Sequence, residues 1–128
     1  MGGGGTLLAA NTNPALKAAI GLCPWNPGVT YPTDTVPSLF FDGSADGLVL
    51  PSQATAEYQS IPTTTPKVYA EFNGGSHYVG DTPLGTAASD KVVARLGLSW
   101  LEVHVLGDSR YQQFLVKDAS MSAWDVKP

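Results

Sequence analysis

The sequence predicts an α/β fold in which parallel strands carry helices on both faces. A continuous apolar run of strand length occurs at residues 36–41, which is typical of a strand buried on both faces. The segment Lys67–Phe72 alternates between apolar and polar residues and also predicts a strand. Segments with helical character lie between and after these runs, at Pro51–Ser60 and at residues 89–106. Strands that alternate with helices in this way favour a parallel sheet.

The first third of the chain supplies a helix, a strand and a loop. Residues 5–11 have helix-forming character, and the Asn-Thr-Asn-Pro sequence at 11–14 predicts its end. The short apolar run 17–22 is predicted to be a buried strand, and the turn residues at 24–28 predict a loop. The strand that would normally pair with 17–22 leads into the first helix and lies outside this sequence. We therefore expect an exposed, adhesive edge on that strand.

The remaining elements follow in order. Pro51 suits the first turn of a helix, and residues 61–66 form a linking loop before the strand at Lys67–Phe72. In 89–106 the apolar residues recur at helical spacing, and Gly107 is a plausible stop. Residues 116–128 show no strong pattern and are interpreted as a tail open to disorder. We treat 1–128 as one partial domain.

Composition excludes several classes of function. The 128 residues carry a net charge of −4 with no basic cluster, which argues against nucleic acid as a partner. No apolar run reaches the length of a membrane span, and no signal peptide is visible. The single cysteine, Cys23, excludes an internal disulfide and a Cys-rich metal site.

The chain opens with Met1 and four glycines that run directly into a Leu-Ala helical segment. Such a run suits a backbone that turns sharply and packs very close to a neighbour. If Gly-x-Ser preceded Met1, then Met1-Gly2 would complete the nucleophile elbow G-x-S-x-G. The rival interpretation is a phosphate-binding loop, which fails because no Lys-Ser/Thr follows and no strand precedes the glycines.

Motifs spread along most of the chain, up to about Leu115, carry a family resemblance. They are Met1 to Ala10, Leu16-Lys17-Ala18-Ala19, Pro24-Trp25, Thr35-Val36-Pro37, Asp46, Gly74-Gly75-Ser76-His77, Ser99-Trp100-Leu101 and Asp108-Ser109-Arg110-Tyr111. In order and spacing the chain resembles bacterial cutinases and polyethylene terephthalate (PET) hydrolases, which are α/β-hydrolases. The resemblance implies the C-terminal half of such a fold, without the nucleophilic serine.

The resemblance also implies an activity. The full-length parent would be a secreted hydrolase of carboxylic esters, acting on a polyester such as cutin or PET through a serine acyl-enzyme. That chemistry needs no metal or organic cofactor. We expect the 128-residue chain to be inactive alone, because it lacks the serine, and its oligomeric state stays open.

Two residues are candidates for the surviving part of a Ser-Asp-His triad. Asp46 and His77 each follow a predicted strand by a short loop, in the chain order that α/β-hydrolases use. Parallel neighbouring strands would bring both loops to one edge of the sheet, where the carboxylate orients the imidazole as general base. Asp46 could instead be a turn or N-cap residue, and Asp42 competes with it. His77 could be a surface histidine, whereas His104 is assigned to packing or to helix-end charge.

Two further residues receive roles from the resemblance. The backbone N–H of Met1 would be one donor of the oxyanion hole, the alternative being a plain initiator methionine. Trp25 resembles the aromatic residue that lines the substrate cleft, and its indole face suits an ester chain, the alternative being an ordinary core or surface tryptophan.

Two other functions stay open beside the hydrolase. The chain could be a non-catalytic module that binds polyester through the cleft around Trp25. It could also derive from a different α/β-hydrolase, such as a lipase or a dienelactone-hydrolase-like enzyme.

Overall fold

The protein has an α/β architecture built on a mixed sheet. A computed structural model describes residues 1–81 and 84–128. The elements in this part of the chain are α1 (Gly2–Thr12), β1 (Ala19–Leu22), β2 (Ser38–Gly43), α2 (Pro51–Ser60), β3 (Lys67–Phe72), α3 (Ala87–His104), a 3-10 helix (Ser109–Phe114) and β4 (Met121–Lys127). Across the described ranges, every helix is too short or too polar to cross a membrane.

The sheet has the strand order β1-β2-β3-β4 within the described residues. β1, β2 and β3 are parallel neighbours, with Ala19 opposite Ser38 and Ser38 opposite Lys67. Parallel neighbours require a crossover between them, and α2 supplies the one from β2 to β3. Because β2 and β3 run in the same direction, their carboxyl ends lie at the same edge of the sheet. The loops that follow the two strands therefore lie side by side at that edge.

The two faces of the sheet bury separate apolar clusters, which confirms the predicted helices on both faces. On one face, alternate strand residues such as Phe41 and Val68 pack with Leu96 and Trp100 of α3. On the other face, Phe40 and Tyr69 pack with Leu7 of α1 and Tyr58 of α2. Every residue of β2 is buried, which explains why its sequence is continuously apolar up to Asp42.

The glycine run begins α1 three residues earlier than the sequence predicted. Glycine is a poor helix former, but α1 lies against the end of β1 and the chain after it, with no room for a side chain at Gly3 or Gly4. A Cβ on Gly4 would collide with the backbone carbonyl of Trp25, and one on Gly3 would lie 2.5 Å from the carbonyl oxygen of Leu22. The expected close approach of the backbone is therefore present, and its partner is the segment after β1.

The interpretation of residues 116–128 as a tail open to disorder is wrong. Met121–Lys127 form β4, which pairs antiparallel with β3. The register skips a residue between Met121, opposite Phe72, and Ala123, opposite Glu71. This irregularity interrupts the two-residue alternation of inward and outward side chains, so the apolar residues of β4 show no simple period in the sequence.

The observed bounds of β1, β2 and α3 differ from the predicted ones by a few residues. The strand predicted at 36–41 is observed at Ser38–Gly43, which leaves Pro37 just before the ladder, where its missing N–H costs nothing. The strand predicted at 17–22 starts at Ala19. The helix predicted at 89–106 is observed at Ala87–His104, because Thr86 caps it by accepting a hydrogen bond from the backbone N–H of Ser89.

A buried lysine joins α2 to β3. The ammonium of Lys67 donates hydrogen bonds to the carbonyl oxygens of Tyr58 at 2.7 Å and Ile61 at 2.5 Å, and lies 4.5 Å from the centre of the Tyr58 ring. These carbonyls belong to the end of α2 and the residue after it, where the helix leaves acceptors unpaired. The charge therefore neutralises the helix end as well as filling its hydrogen bonds.

We expect Lys67→Met to lower the free energy of unfolding by about 2–4 kcal/mol, since each buried carbonyl left without a donor costs about 1–3 kcal/mol. Urea denaturation followed by circular dichroism measures this. The exposed Lys17 is the matched control, and Lys17→Met should leave the midpoint nearly unchanged. Equal effects of the two substitutions would contradict the assigned role of Lys67.

Candidate active site

The loops that follow β2 and β3 touch without a side chain between them. A Cβ on Gly43 would collide with the backbone of Gly75, so only glycine permits this approach. Hydrogen bonds then join the loops: the N–H of Ala45 donates to the Gly75 carbonyl at 2.9 Å, and the N–H of Gly74 donates to Ser44 Oγ at 2.8 Å. Asp46 is the residue after Ala45, and His77 lies two residues after Gly75, so both follow directly from the hydrogen-bonded part of the loops.

The two predicted catalytic side chains form a hydrogen-bonded pair. His77 Nδ1 lies 2.7 Å from Asp46 Oδ2, and the Asp46 side chain is fully buried whereas His77 is partly exposed. An ionised carboxylate can only accept hydrogen bonds, so Nδ1 carries a proton, and in the neutral imidazole this leaves Nε2 with the free lone pair. The pair is therefore set up for His77 to accept a proton at Nε2.

The Asp46 carboxylate is held by its own loop. The backbone N–H groups of Leu48 and Val49 donate to Oδ1 at 2.8 and 2.9 Å. Burial by itself raises the pKa of Asp46, but the hydrogen bonds from Val49, His77 and Leu48 outweigh it and hold the pKa below the ordinary value. The group stays ionised at neutral pH and can stabilise an imidazolium on His77.

Asp42, the competing candidate, faces elsewhere. Its Oδ2 accepts a hydrogen bond from the Tyr69 hydroxyl at 2.9 Å, and its Oδ1 accepts one from the Gly43 N–H at 2.8 Å. Burial raises the pKa of Asp42 to about 6, despite both hydrogen bonds. The structure thus pairs His77 with Asp46 and uses Asp42 to tie β2 to β3.

A surface cleft of about 410 Å³ leads to the pair. His77 lines it together with Cys23, with Met1 and with Gly2 and Gly3 at the start of α1. Met1 lies at the N-cap of α1, where backbone N–H groups point out of the helix and favour negative charge. A developing oxyanion in this cleft would therefore meet the positive end of α1.

The structure does not bring the other two sequence candidates into that cleft. Trp25 is half-buried and lines a different cleft of about 370 Å³, with Asn26, Val29 and Glu57 among its walls. His104 lies in the last turn of α3, where its ring centre is 4.0 Å from that of Trp100. Its assignment to packing agrees with this contact.

Comparison with known proteins agrees with this geometry. A family model described as PET hydrolase-like matches residues 1–127. The chain belongs to the PET hydrolase-like family. The resemblance predicted from the motifs is thereby confirmed, as is the α/β-hydrolase type of fold.

Relatives of this PET hydrolase-like chain are named as ester hydrolases. The chain is 37% identical over 116 residues to a bis(hydroxyethyl) terephthalate hydrolase from Streptomyces coelicolor, covering 90% of this chain and 36% of the relative. It is 36% identical to cutinase 1 from Thermobifida cellulosilytica, covering 90% of this chain and 42% of that relative. The chain therefore spans about two fifths of the length of these curated relatives.

Cys23 is the residue at the site that sequence reasoning missed. The cysteine count was used only to exclude a disulfide and a Cys-rich metal site, yet the thiol lines the same cleft as His77. Its position after β1 was the available signal, because β1 is parallel to β2 and β3 and its following loop must reach the same edge.

Because the pKa of Asp42 is raised in the folded protein, the sign of its contribution to the pH dependence of folding stability can be predicted. Its neutral form stabilises the folded state fully below the ordinary pKa of 3.8, and that contribution disappears as the pH rises through about 6. Asp42→Asn mimics the neutral form, so its stability relative to wild type should rise by about 3 kcal/mol between about pH 3 and pH 7. Urea denaturation across this range measures the difference.

Asp118 provides a control of opposite sign, because hydrogen bonds from Ser120 lower its pKa. Asp118→Asn should lose stability relative to wild type above about pH 4. Parallel stability curves for wild type and Asp42→Asn would refute the assignment to Asp42.

Proposed function

We propose that the full-length protein hydrolyses carboxylic esters of the terephthalate or cutin polyester type, with His77 as general base and Asp46 as the residue that orients it. The observation that carries the proposal is the 2.7 Å contact between His77 Nδ1 and Asp46 Oδ2 beside an open cleft. Membership in the PET hydrolase-like family supports the reaction class, and the names of the relatives support the substrate class.

The nucleophile in this proposal is a serine at the turn leading into α1, supplied by a segment outside the present sequence. Its hydroxyl oxygen attacks the ester carbonyl while its proton moves to Nε2 of His77. The resulting imidazolium is stabilised by the buried Asp46 carboxylate, and it returns the proton to the leaving alcohol. Water then repeats these steps on the acyl-enzyme and releases the acid.

We assign the oxyanion to the N-terminal end of α1. The Met1 N–H would be one donor, and a donor of this kind contributes about 3–4 kcal/mol of transition-state stabilisation. Trp25 would bind an aromatic or aliphatic segment of the polymer at the separate cleft that it lines. A polymeric substrate cannot enter a cell, so the proposal includes an extracellular location for the full-length protein.

In the full-length protein, His77→Ala should lower kcat by about 10⁴- to 10⁶-fold and Asp46→Asn by about 10⁴-fold, the range found for triad residues in a serine protease. Initial rates with p-nitrophenyl butyrate measure both effects. The control is His104→Ala, which should keep a near wild-type rate. The proposal fails if His77→Ala retains a tenth or more of the activity.

The 128-residue chain alone should cleave p-nitrophenyl butyrate no faster than its own His77→Ala variant, because a base without its nucleophile does not form an acyl-enzyme. Saturable turnover by the short chain that depends on His77 would show that a nucleophile lies within residues 1–128.

A second candidate function, binding without catalysis, rests on the cleft beside Trp25. An open cleft of about 370 Å³ bordered by an indole can hold an aromatic ester unit. A binding isotherm of the 128-residue chain on polyester film, abolished in Trp25→Ala and retained in Trp124→Ala, would support it.

A further inference from the structure

The thiol of Cys23 lies beside the His77–Asp46 pair in an unusual backbone setting. Among the described residues, Cys23 is the non-glycine residue with positive φ, at 41°. This left-handed conformation is costly for a residue with a Cβ, and it persists only where the surroundings fix it. The loop here turns immediately after β1, and the buried thiol is 4.0 Å from the Ser76 carbonyl oxygen, next to His77.

Three different donor atoms meet at this point. Cys23 Sγ, a carboxylate oxygen of Asp46 and a ring nitrogen of His77 all lie within 4.8 Å of one another. Neighbouring donors in a tetrahedral zinc site are about 3.3–3.6 Å apart, given the usual bond lengths. The farthest pair of these atoms must approach by about 1 Å, whereas Nδ1 and Oδ2, now 2.7 Å apart, must separate.

Access and charge also favour a cation at this place. Cys23 and His77 both line the 410 Å³ cleft, which gives an entry path from solvent. The Asp46 carboxylate beside the thiol would attract a divalent ion.

We propose that Cys23, Asp46 and His77 form a binding site for a divalent cation of the Zn²⁺ class, whose fourth position faces the cleft. Sulfur, imidazole nitrogen and carboxylate oxygen together are the donors that such borderline-soft ions prefer. The Leu48 and Val49 N–H groups already occupy Oδ1 of Asp46, so Oδ2 is the metal ligand. Binding releases the thiol proton to water.

The ion and the catalytic hydrogen bond exclude one another. At 2.7 Å, Nδ1 and Oδ2 are too close to hold a metal between them, and both become ligands only after separating by about 0.6 Å. The Nδ1 proton is then lost to solvent while Nε2 takes one up, so that His77 binds the metal through Nδ1 as a neutral imidazole. A bound metal thus removes the hydrogen bond by which Asp46 orients His77. This metal site is a property separate from the proposed ester hydrolysis.

Titration of the reduced 128-residue chain with Co²⁺ tests the site without any activity measurement, so its outcome is separate from that of the proposed function. We expect one equivalent to give a thiolate-to-cobalt absorption band and the intense visible bands of four-coordinate Co²⁺, with both displaced by Zn²⁺. Cys23→Ser should abolish the thiolate band. His77→Gln and Asp46→Asn should each weaken binding at least tenfold, whereas the control His104→Gln should bind like wild type.

Three outcomes would overturn the proposal. The first is that stoichiometric Co²⁺ gives no thiolate band with the wild-type chain. The second is that His77→Gln and Asp46→Asn keep wild-type affinity, which would reduce the site to a simple thiol. The third needs no variant to fold: if the wild-type chain in concentrated urea binds Co²⁺ as tightly as in buffer, the folded arrangement contributes nothing.

Discussion

The backbone contact between Gly43 and Gly75 is the constraint on which the site depends. Each glycine ends or follows a buried strand, and the space between them would not admit a methyl group. The two loops can therefore exchange backbone hydrogen bonds and deliver Asp46 and His77 within 2.7 Å of each other. The sheet fixes the positions of the two strand ends. The glycines then let the loops approach closely enough for Asp46 and His77, 31 residues apart in the chain, to form a hydrogen bond.

The buried Asp46 carboxylate stays ionised because its hydrogen-bond donors are held in place. An isolated buried carboxylate would take up a proton, but two backbone N–H groups and one imidazole keep this one ionised. Asp42, four residues earlier, shows the other result: burial dominates there and its pKa rises to about 6. The two acids differ because one sits in a loop with free N–H groups and the other sits in a strand whose N–H groups largely serve the ladder.

Sequence pattern predicted the elements with a clear period and missed the one without it. α2 and β3 have the predicted bounds, because Pro51 opens the helix and the alternating segment Lys67–Phe72 is buried at every position except Glu71. β4 was missed because its pairing with β3 slips at Ser122, so that its inward residues follow no constant spacing. The early start of α1 was missed since glycine propensity opposes a helix, and the close packing that compensates is visible only in three dimensions.

The residues of the candidate site were likewise predicted in part from the sequence and in part only seen in the structure. Loop position predicted that acidic residues after β2 and a histidine after β3 would share one edge, and the family resemblance favoured Asp46 over Asp42; the structure pairs Asp46 with His77. Cys23 was not assigned to the site, because its place after the predicted strand 17–22 was not used, although the loop after that strand reaches the same edge. Trp25 was assigned by resemblance alone, and it lines a cleft other than the one that His77 borders.

The protonation of His77 is the most direct measure of the central claim, that a buried carboxylate fixes this imidazole for base catalysis. Nitrogen-detected NMR of the folded chain should show a proton on Nδ1 of His77 as a strongly downfield Nδ1–H resonance, and loss of that resonance in Asp46→Asn. A His77 ring protonated on Nε2 alone, or an Nδ1–H signal unchanged by Asp46→Asn, would contradict the account.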